Sequence, residues 1–197
     1  MKSQAKNIFI GILVISVVAI FALMLSSCNY REIRDANDMI TDFNGRNVQY
    51  PSDVERIATV GSAARSVVYA GAQDKLVAIT EMDRPTELRP YTLVDPELFS
   101  SLPTTSDGNH LNSTNIDKEK LLELNPDVIL SSRSKSECER LQKDLNIPVI
   151  GVGFQDEILL VDFWQSLKIV GEVCGTEVTA NRRIGYIKTI SDEAQKC

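Results

Sequence analysis

The chain has 197 residues, 43% hydrophobic and 6% aromatic, with a formal net charge of −6, enough for one globular domain of ordinary size. The acidic balance argues against nucleic-acid binding, which needs a basic stripe. A single histidine argues against a zinc or manganese site of several imidazoles, and four cysteines without a CxxC spacing argue against a disulfide framework.

The N-terminus stands apart from the globule. Met1 to Asn7 carries Lys2 and Lys6 and no acid, and Ile8 to Leu25 holds no charge. A basic start and an apolar core have the layout of a secretory signal, and the run is also long enough for an uncleaved membrane helix. Leu25-Ser26-Ser27-Cys28 follows at once. This segment resembles the lipobox of prokaryotic lipoproteins, in which the peptide is cut before the cysteine and that cysteine is lipidated. Small residues suit a protease groove, and two or more acyl chains on Cys28 would anchor stably. The other reading is a plain transmembrane anchor. Both put the rest of the chain outside the membrane. We therefore expect a signal peptide over 1–27, lipid at Cys28 and an extracytoplasmic, membrane-anchored product. Without residues 1–27, 19 basic residues face 27 acidic ones, a net charge of −8, which suits a domain held off an anionic surface.

Residues 28–38 are polar and charged and read as a tether. Two short runs flanking Asn44-Gly45 read as a hairpin, ended by Pro51. Ile57 to Val60 is a short apolar strand, Gly61-Ser62 a turn, and AARSVVYAG a helix closed by Gly71. Lys75 to Thr80 is a second strand. A long polar connection follows, from Glu81 to Asn115, with Pro85, Pro90, Pro96 and Pro103. DKEKLLELNP reads as a helix that stops before Pro126, and Asp127 to Ser132 as a third strand. SKSECERLQKDLN is a helix capped by Ser134 or Ser136, and Ile147 to Gly153 a fourth strand. DEILLVDFWQSLKIVGEVCG reads as a helix with acids in its first turn and Gly175 just past its end. TEVTANRRIGYIKTISDEAQKC is the last helix.

Short β-branched strands alternating with helices indicate an α/β fold built on a parallel sheet of βαβ units. Ligands of such sheets sit at the carboxyl ends of the strands. That points to three segments: Gly61–Arg65, the Glu81–Asn115 connection, and Ser131–Ser136.

In TVGSAARS, Gly61 and Ser62 lie between a strand and a helix start, where backbone N–H groups can hold an anion. Arg65 could add a bidentate donor, or be an ordinary surface cation. Ser106 to Asn115 is polar and flanked by prolines. It could line a ligand mouth through Asp107, Asn109 or His110, or be solvated loop. Asn112-Ser113-Thr114 fits a glycosylation acceptor, a match common by chance. Cys138, Cys174 and Cys197 read best as small thiols, with one pairing left open. No nucleophile–base pair stands out, so catalysis has little support.

Several segments together resemble the substrate-binding lipoproteins of iron-chelate and cobalamin ABC importers. ITDFNGRNVQYPSDVERIATVGSAARSVVYAGAQDKLVAIT matches their opening hairpin with a D-x-x-G-R-like turn, a proline, then R-I-x-x-x-G/S. STNIDKEKLLELNPDVIL matches their segment ending in x-L-x-P-D and two apolar residues. The resemblance runs over about residues 39–197, and the lipobox agrees with it. It implies two α/β lobes joined by one long rigid helix, with a ligand gripped between them. On that reading residues 39–175 are the N-terminal lobe and residues 176–197 begin the inter-lobe helix, and the 197 residues hold no second lobe. It further implies ligand contacts from Gly61, Ser62 and Arg65, and from the loop near Asp107 and Asn109. A glutamate on this lobe would dock on arginines of the permease. Counting back from Asn125-Pro126-Asp127 gives Glu119, with Asp117 as the nearest alternative.

No aromatic occupies residues 107–113, so an anionic ferric chelate reaching Arg65 suits the family's site better than a flat corrin or haem. The expected function is capture of an iron-type chelate, of siderophore or cobalamin-transport type, and its delivery to an ABC permease. No reaction is catalysed, and no group is bound covalently except lipid. An anchored sensory or interaction domain is the alternative, and an α/β enzyme the more distant one. In the last helix Ile184, Ile187, Ser191 and Ala194 share a face. Ile184 and Tyr186 are expected to pack on the lobe, and residues near Cys197 to be exposed.

Overall fold

In the computed structural model, residues 37–106, 115–153 and 160–194 are described. The signal, Cys28 and most of the tether lie outside them, as do Asp107, Asn109, His110, the Asn112 acceptor and Cys197. The first acids of the Asp156 helix lie outside them too.

The folded unit begins with an antiparallel pair, β1 (Asn37–Thr41) and β2 (Asn47–Pro51). β1 starts two residues inside the expected tether. Alternate residues of β2 are buried, so Val48 and Tyr50 face the core while Asn47 and Gln49 face water. Gly45 takes φ +70° in the connection, which spans 42–46 rather than the two residues Asn44-Gly45. The reason is Asp42. Its carboxylate accepts from the Arg46 backbone N–H (2.9 Å), Arg46 Nε (2.9 Å) and Arg46 Nη2 (2.6 Å), and from the Gly151 N–H (2.9 Å). Arg46 Nη2 also donates to the Val149 carbonyl, and Phe43 N–H to the Gly151 carbonyl (3.0 Å). The D-x-x-G-R turn is thus a buried ion pair that fastens the hairpin to the end of a distant strand.

Four parallel strands form the main sheet, in the order β4-β3-β5-β6. They are β3 (Ile57–Val60), β4 (Leu76–Ala78), β5 (Val128–Ser131) and β6 (Val149–Gly151). All residues of β3, β5 and β6 are buried, as expected of strands covered on both faces. The helices are α1 (Ala64–Ala70), α2 (Pro96–Ser101), α3 (Lys118–Leu124), α4 (Lys135–Leu145), α5 (Leu160–Cys174) and α6 (Glu177–Ala194). One core cluster joins the hairpin, α1, α5 and α6 around Ile57, Val67, Phe99, Val128 and Leu167. A second joins α3 and α4 to the other face around Leu121, Ile129, Leu141 and Val149.

The P-D and R-I motifs interlock. Asp127 Oδ2 accepts from the N–H groups of Glu55 and Arg56, both at 2.8 Å. Arg56 Nη2 donates to the Leu124 carbonyl (2.8 Å) and Nε to that of Asn125 (3.3 Å), satisfying the end of α3. Asn125 supplies the left-handed residue there, φ 44°.

The 81–106 connection departs most from the sequence reading. It is not an open polar loop. Thr80 and Asp83 form a capping box over a 3₁₀ turn, Pro90–Val94 forms another, and α2 follows with Asp95 capping the Leu98 N–H. Phe99 and Thr92 are fully buried, and Arg84 Nη1 ties the end of α2 through the carbonyls of Phe99 and Ser100. The signal was Asp95-Pro96-Glu97, an N-cap with proline at the first helical position.

α5 ends as expected at Gly175 (φ +66°), with Thr176 N–H on the Gly171 carbonyl (2.7 Å) and Gly175 N–H on that of Glu172 (3.3 Å). α6 then turns back along α5 and α1. Ile184 is buried, Ile187 and Ser191 are half-buried, and Lys188 to Ile190 are exposed. Tyr186 does not pack on the lobe. It is 69% exposed, because two helical positions carry it about 200° round the axis from Ile184. Arg183 Nη1 reaches the Val68 and Tyr69 carbonyls at the end of α1 (2.6 and 2.9 Å), and Lys188 Nζ stands 4.6 Å from the centroid of the Trp164 ring. Cys138 and Cys174 are buried free thiols, and burial pushes the Cys174 pKa up to about 12.

Candidate functional site

The carboxyl ends of β3, β4, β5 and β6 carry the turn at Gly61, the Thr80–Asp83 turn, the Ser131–Ser134 segment and Gly151–Gly153. Gly61 has φ +71°, and a Cβ there would overlap Ser132 Oγ. Only glycine permits that backbone and that closeness. The Ser62 N–H donates to Ser132 Oγ at 2.8 Å, and the two serine hydroxyls lie 3.2 Å apart. Ser62 is thus tied to the β5 loop, so its N–H already has an acceptor.

Arg65 is half-buried in the first turn of α1. Burial pulls its pKa below the usual guanidinium value, while the negative potential of Tyr69, Tyr91 and Asp83 opposes the shift. Asp83 is fully buried. Its Oδ1 accepts from Tyr91 Oη at 2.7 Å, and its Oδ2 from Thr80 Oγ1 (2.6 Å) and the Thr80 N–H (3.1 Å). Asp83 and Tyr91 lie in the long connection that the sequence reads as polar, where no local motif marks them.

Burial is the main reason the Asp83 pKa is raised, and the Thr80 and Tyr91 hydrogen bonds only partly offset it. A carboxyl that holds its proton more tightly when folded loses stability as pH climbs from its unfolded value, about 3.9, through its folded value. Asn at this position stands in for the protonated acid. Urea titrations of Asp83→Asn and the parent should diverge in the variant's favour as pH rises from 4, then run parallel. A difference that is flat or falls with pH would contradict this.

Beside the β5 loop lies a cleft of about 590 Å³ lined by residues of α3, α4 and the β5 end, among them Ile116, Lys118, Glu119, Ser131, Arg133 and Arg140. Glu119 is exposed in the first turn of α3, whereas Asp117 is its N-cap and accepts from the Lys120 N–H at 2.8 Å. The base of the 107–114 segment is closed by a bridge between Ser106 and Ile116, so Ile116 sits both at that base and in the cleft wall. The structure thus brings Gly61, Ser62 and Arg65 to one end of the sheet. Asp107 and Asn109 lie outside the described residues. Arg133 and Arg140 were missed, although the Ser131–Ser136 segment was expected to matter. Among the described residues, no group of three or more His, Cys, Asp or Glu could hold a metal ion.

No protein-family model and no curated protein sequence matches the chain. Solved structures do match in fold. A periplasmic solute-binding protein from Veillonella parvula superposes with a TM-score of 0.67 at 23% identity, over 82% of this chain and 48% of that one. The molybdate periplasmic binding protein MolA of Haemophilus influenzae, bound to molybdate, gives 0.58 at 20% identity, over 74% and 48%. The petrobactin-binding protein YclQ from Bacillus subtilis gives 0.59 at 14% identity, over 80% and 52%. The chain spans about half the length of the structures it matches, and its fold is that of part of a solute-binding protein of ABC importers.

Proposed function

We propose that the chain serves an ABC importer as the N-terminal lobe of an extracytoplasmic, lipid-anchored solute-binding protein, with Cys28 as the lipid site. It captures a metal chelate and presents it to a permease. The observation that carries this reading is the joining of the Gly61–Ser62 turn, Arg65 and the Ser131–Ser134 loop at the carboxyl end of a sheet whose fold is that of solute-binding proteins. The neighbours named for molybdate and petrobactin make an anion or an iron-carrying small molecule the natural class of ligand. Gly61, Ser62 and Arg65 form one wall of the site, and Asp107 and Asn109 belong to the loop assigned to its mouth. Glu119, exposed and not engaged in capping, is the acid that meets the permease.

The test is titration of the full chain, in detergent, with gallium(III) citrate as a diamagnetic stand-in for a ferric chelate. The Ser62 amide and the Arg65 side chain should shift in ¹H–¹⁵N spectra, and Arg65→Gln should weaken binding about tenfold, the worth of one charge-assisted hydrogen bond. The affinity of this chain by itself should be weak, since a ligand closed between two lobes draws contacts from both. Absence of any response at the sheet end to citrate and to a second, differently charged gallium chelate would remove the reading.

A further inference from the structure

The hydroxyl of Thr80 stands between two acceptors. Its Oγ1 lies 2.6 Å from Asp83 Oδ2 and 3.1 Å from the Gly61 carbonyl oxygen. A hydroxyl carries one hydrogen, so it donates fully to one of them at a time. The protonation of Asp83 decides which. A carboxylate only accepts, and its charge and shorter distance draw the hydrogen to Oδ2. With a proton on Oδ2, Asp83 becomes the donor to Thr80 Oγ1, and the hydroxyl hydrogen turns to the Gly61 carbonyl. The Thr80 N–H (3.1 Å from Oδ2) and Tyr91 Oη (2.7 Å from Oδ1) keep their acceptors in both states.

The far end of this relay is the turn at the end of β3. The Gly61 carbonyl and the Ser62 N–H belong to one planar peptide unit. Ser132 Oγ holds its N–H at 2.8 Å, and Thr80 Oγ1 meets its carbonyl. Gly61, at φ +71°, gives this unit the freedom to rotate. Thr80 is a fixed post. It is buried, and Ile79 before it donates to the Pro103 carbonyl (3.1 Å) and accepts from the Thr105 N–H (2.8 Å).

We propose that Asp83 is a positioning residue for the Gly61–Ser62 turn and acts through Thr80. Its acid form latches the peptide unit at both ends. Its carboxylate releases the carbonyl end, so that the Ser62 N–H can turn from Ser132 to an anion. The latch is a property of the free chain, whereas its effect on capture rests on the solute-binding reading. Burial raises the Asp83 pKa, so the latch closes as pH falls through a value above that of a solvated carboxyl. Arg89 and Tyr91 face Asp83 from the connection and Arg65 from α1, with Tyr69 beside Arg65. On the Asp83 turn itself, Glu81 is paired with Arg84 at 3.5 Å.

The full chain, labelled with ¹³C and ¹⁵N in detergent micelles, is titrated from about pH 4 to about pH 7.5, the range above the ordinary carboxyl value. The Asp83 ¹³Cγ, Gly61 ¹³C′ and Ser62 amide signals should move with one midpoint. If Gly61 and Ser62 do not follow Asp83 in the parent chain, the latch is disproved. Thr80→Val keeps the side-chain shape and the backbone N–H but removes the hydroxyl. Asp83 should still titrate there, with its midpoint raised because a bond to its charged form is gone, while Gly61 and Ser62 stop following it. Thr80→Ser should restore the coupling. A step at Ser62 that survives in Thr80→Val or in Asp83→Asn comes from Glu81 or another acid and overturns the relay.

Gallium(III) citrate separates the latch from its use. The ratio of parent to Thr80→Val affinity at each pH cancels the protonation of the chelate itself. The variant should bind about fivefold tighter at the acid end, the worth of one hydrogen bond, and the ratio should approach one above the Asp83 midpoint. A ratio that ignores pH while the latch signals are intact disproves the effect on capture. If citrate binds neither protein, the solute-binding reading falls and the latch stands on its spectra.

Discussion

Replacing Asp42 by alanine is expected to lower the unfolding free energy by about 3–5 kcal/mol, the cost of leaving one member of a buried ion pair uncompensated. For a fold of this size that corresponds to a drop in Tm of about 10 °C. The Arg46 side chain is only 8% exposed and Asp42 is buried completely, so water cannot replace the lost partner. The Gly151 N–H loses its acceptor at the same stroke. A buried unpaired donor adds about 1–3 kcal/mol on its own. Urea unfolding followed by circular dichroism measures the loss. A decrease below about 1 kcal/mol would mean that the turn is a solvated surface pair, contrary to its geometry. The variant Asp42→Leu/Arg46→Met should recover only part of the stability. Apolar side chains can substitute for the charges, but not for the bonds to Gly151 and Val149.

The second large effect is expected at Gly171. It is buried where α5 meets the first turn of α6. A Cβ there would lie 2.8 Å from the Ala180 Cβ and 3.3 Å from the Glu177 Cα. The second of these is backbone, so no rotamer change relieves it. Gly171→Leu should therefore cost about 3 kcal/mol or more, at the upper end for overpacked cores. Gly171→Ala sets a helix-propensity gain of about 1 kcal/mol against the same contacts. It should come out destabilising because a shift of Glu177 drags the start of α6 with it. Neutral or stabilising alanine would show that α6 can slide, and that the contact between the two helices is soft.

The strands and most helices could be read from the sequence because each carried a local rule. Short apolar runs rich in β-branched residues marked β3 and β5. Gly71 and Gly175 marked helix ends and both adopt positive φ. The segments that suggested a family prove to be framework. Asp42 and Arg46 lock the hairpin onto β6, and Arg56 and Asp127 lock the β3 entry onto the end of α3. Their roles depend on pairs 4 to 109 residues apart, so the motif could be noticed without its purpose being legible.

The site was less legible for the same physical reason. Arg133 acquires meaning only when β3 and β5 pair and bring Ser132 against Gly61. Asp83 and Tyr91 needed the recognition that a proline-rich connection can bury Phe99 and fold on itself. Tyr186 failed as a core residue because hydrophobic character was read without its angular position on α6.

The ring of Trp164 under Lys188 has a practical consequence. It is the only tryptophan in the chain, and it reports from the seam between α5 and α6, on elements that do not line the ligand cleft. An ammonium held against the indole makes its emission sensitive to whether the last turns of α6 stay docked. The intrinsic fluorescence of this chain is thus a built-in optical gauge of that one helix pair.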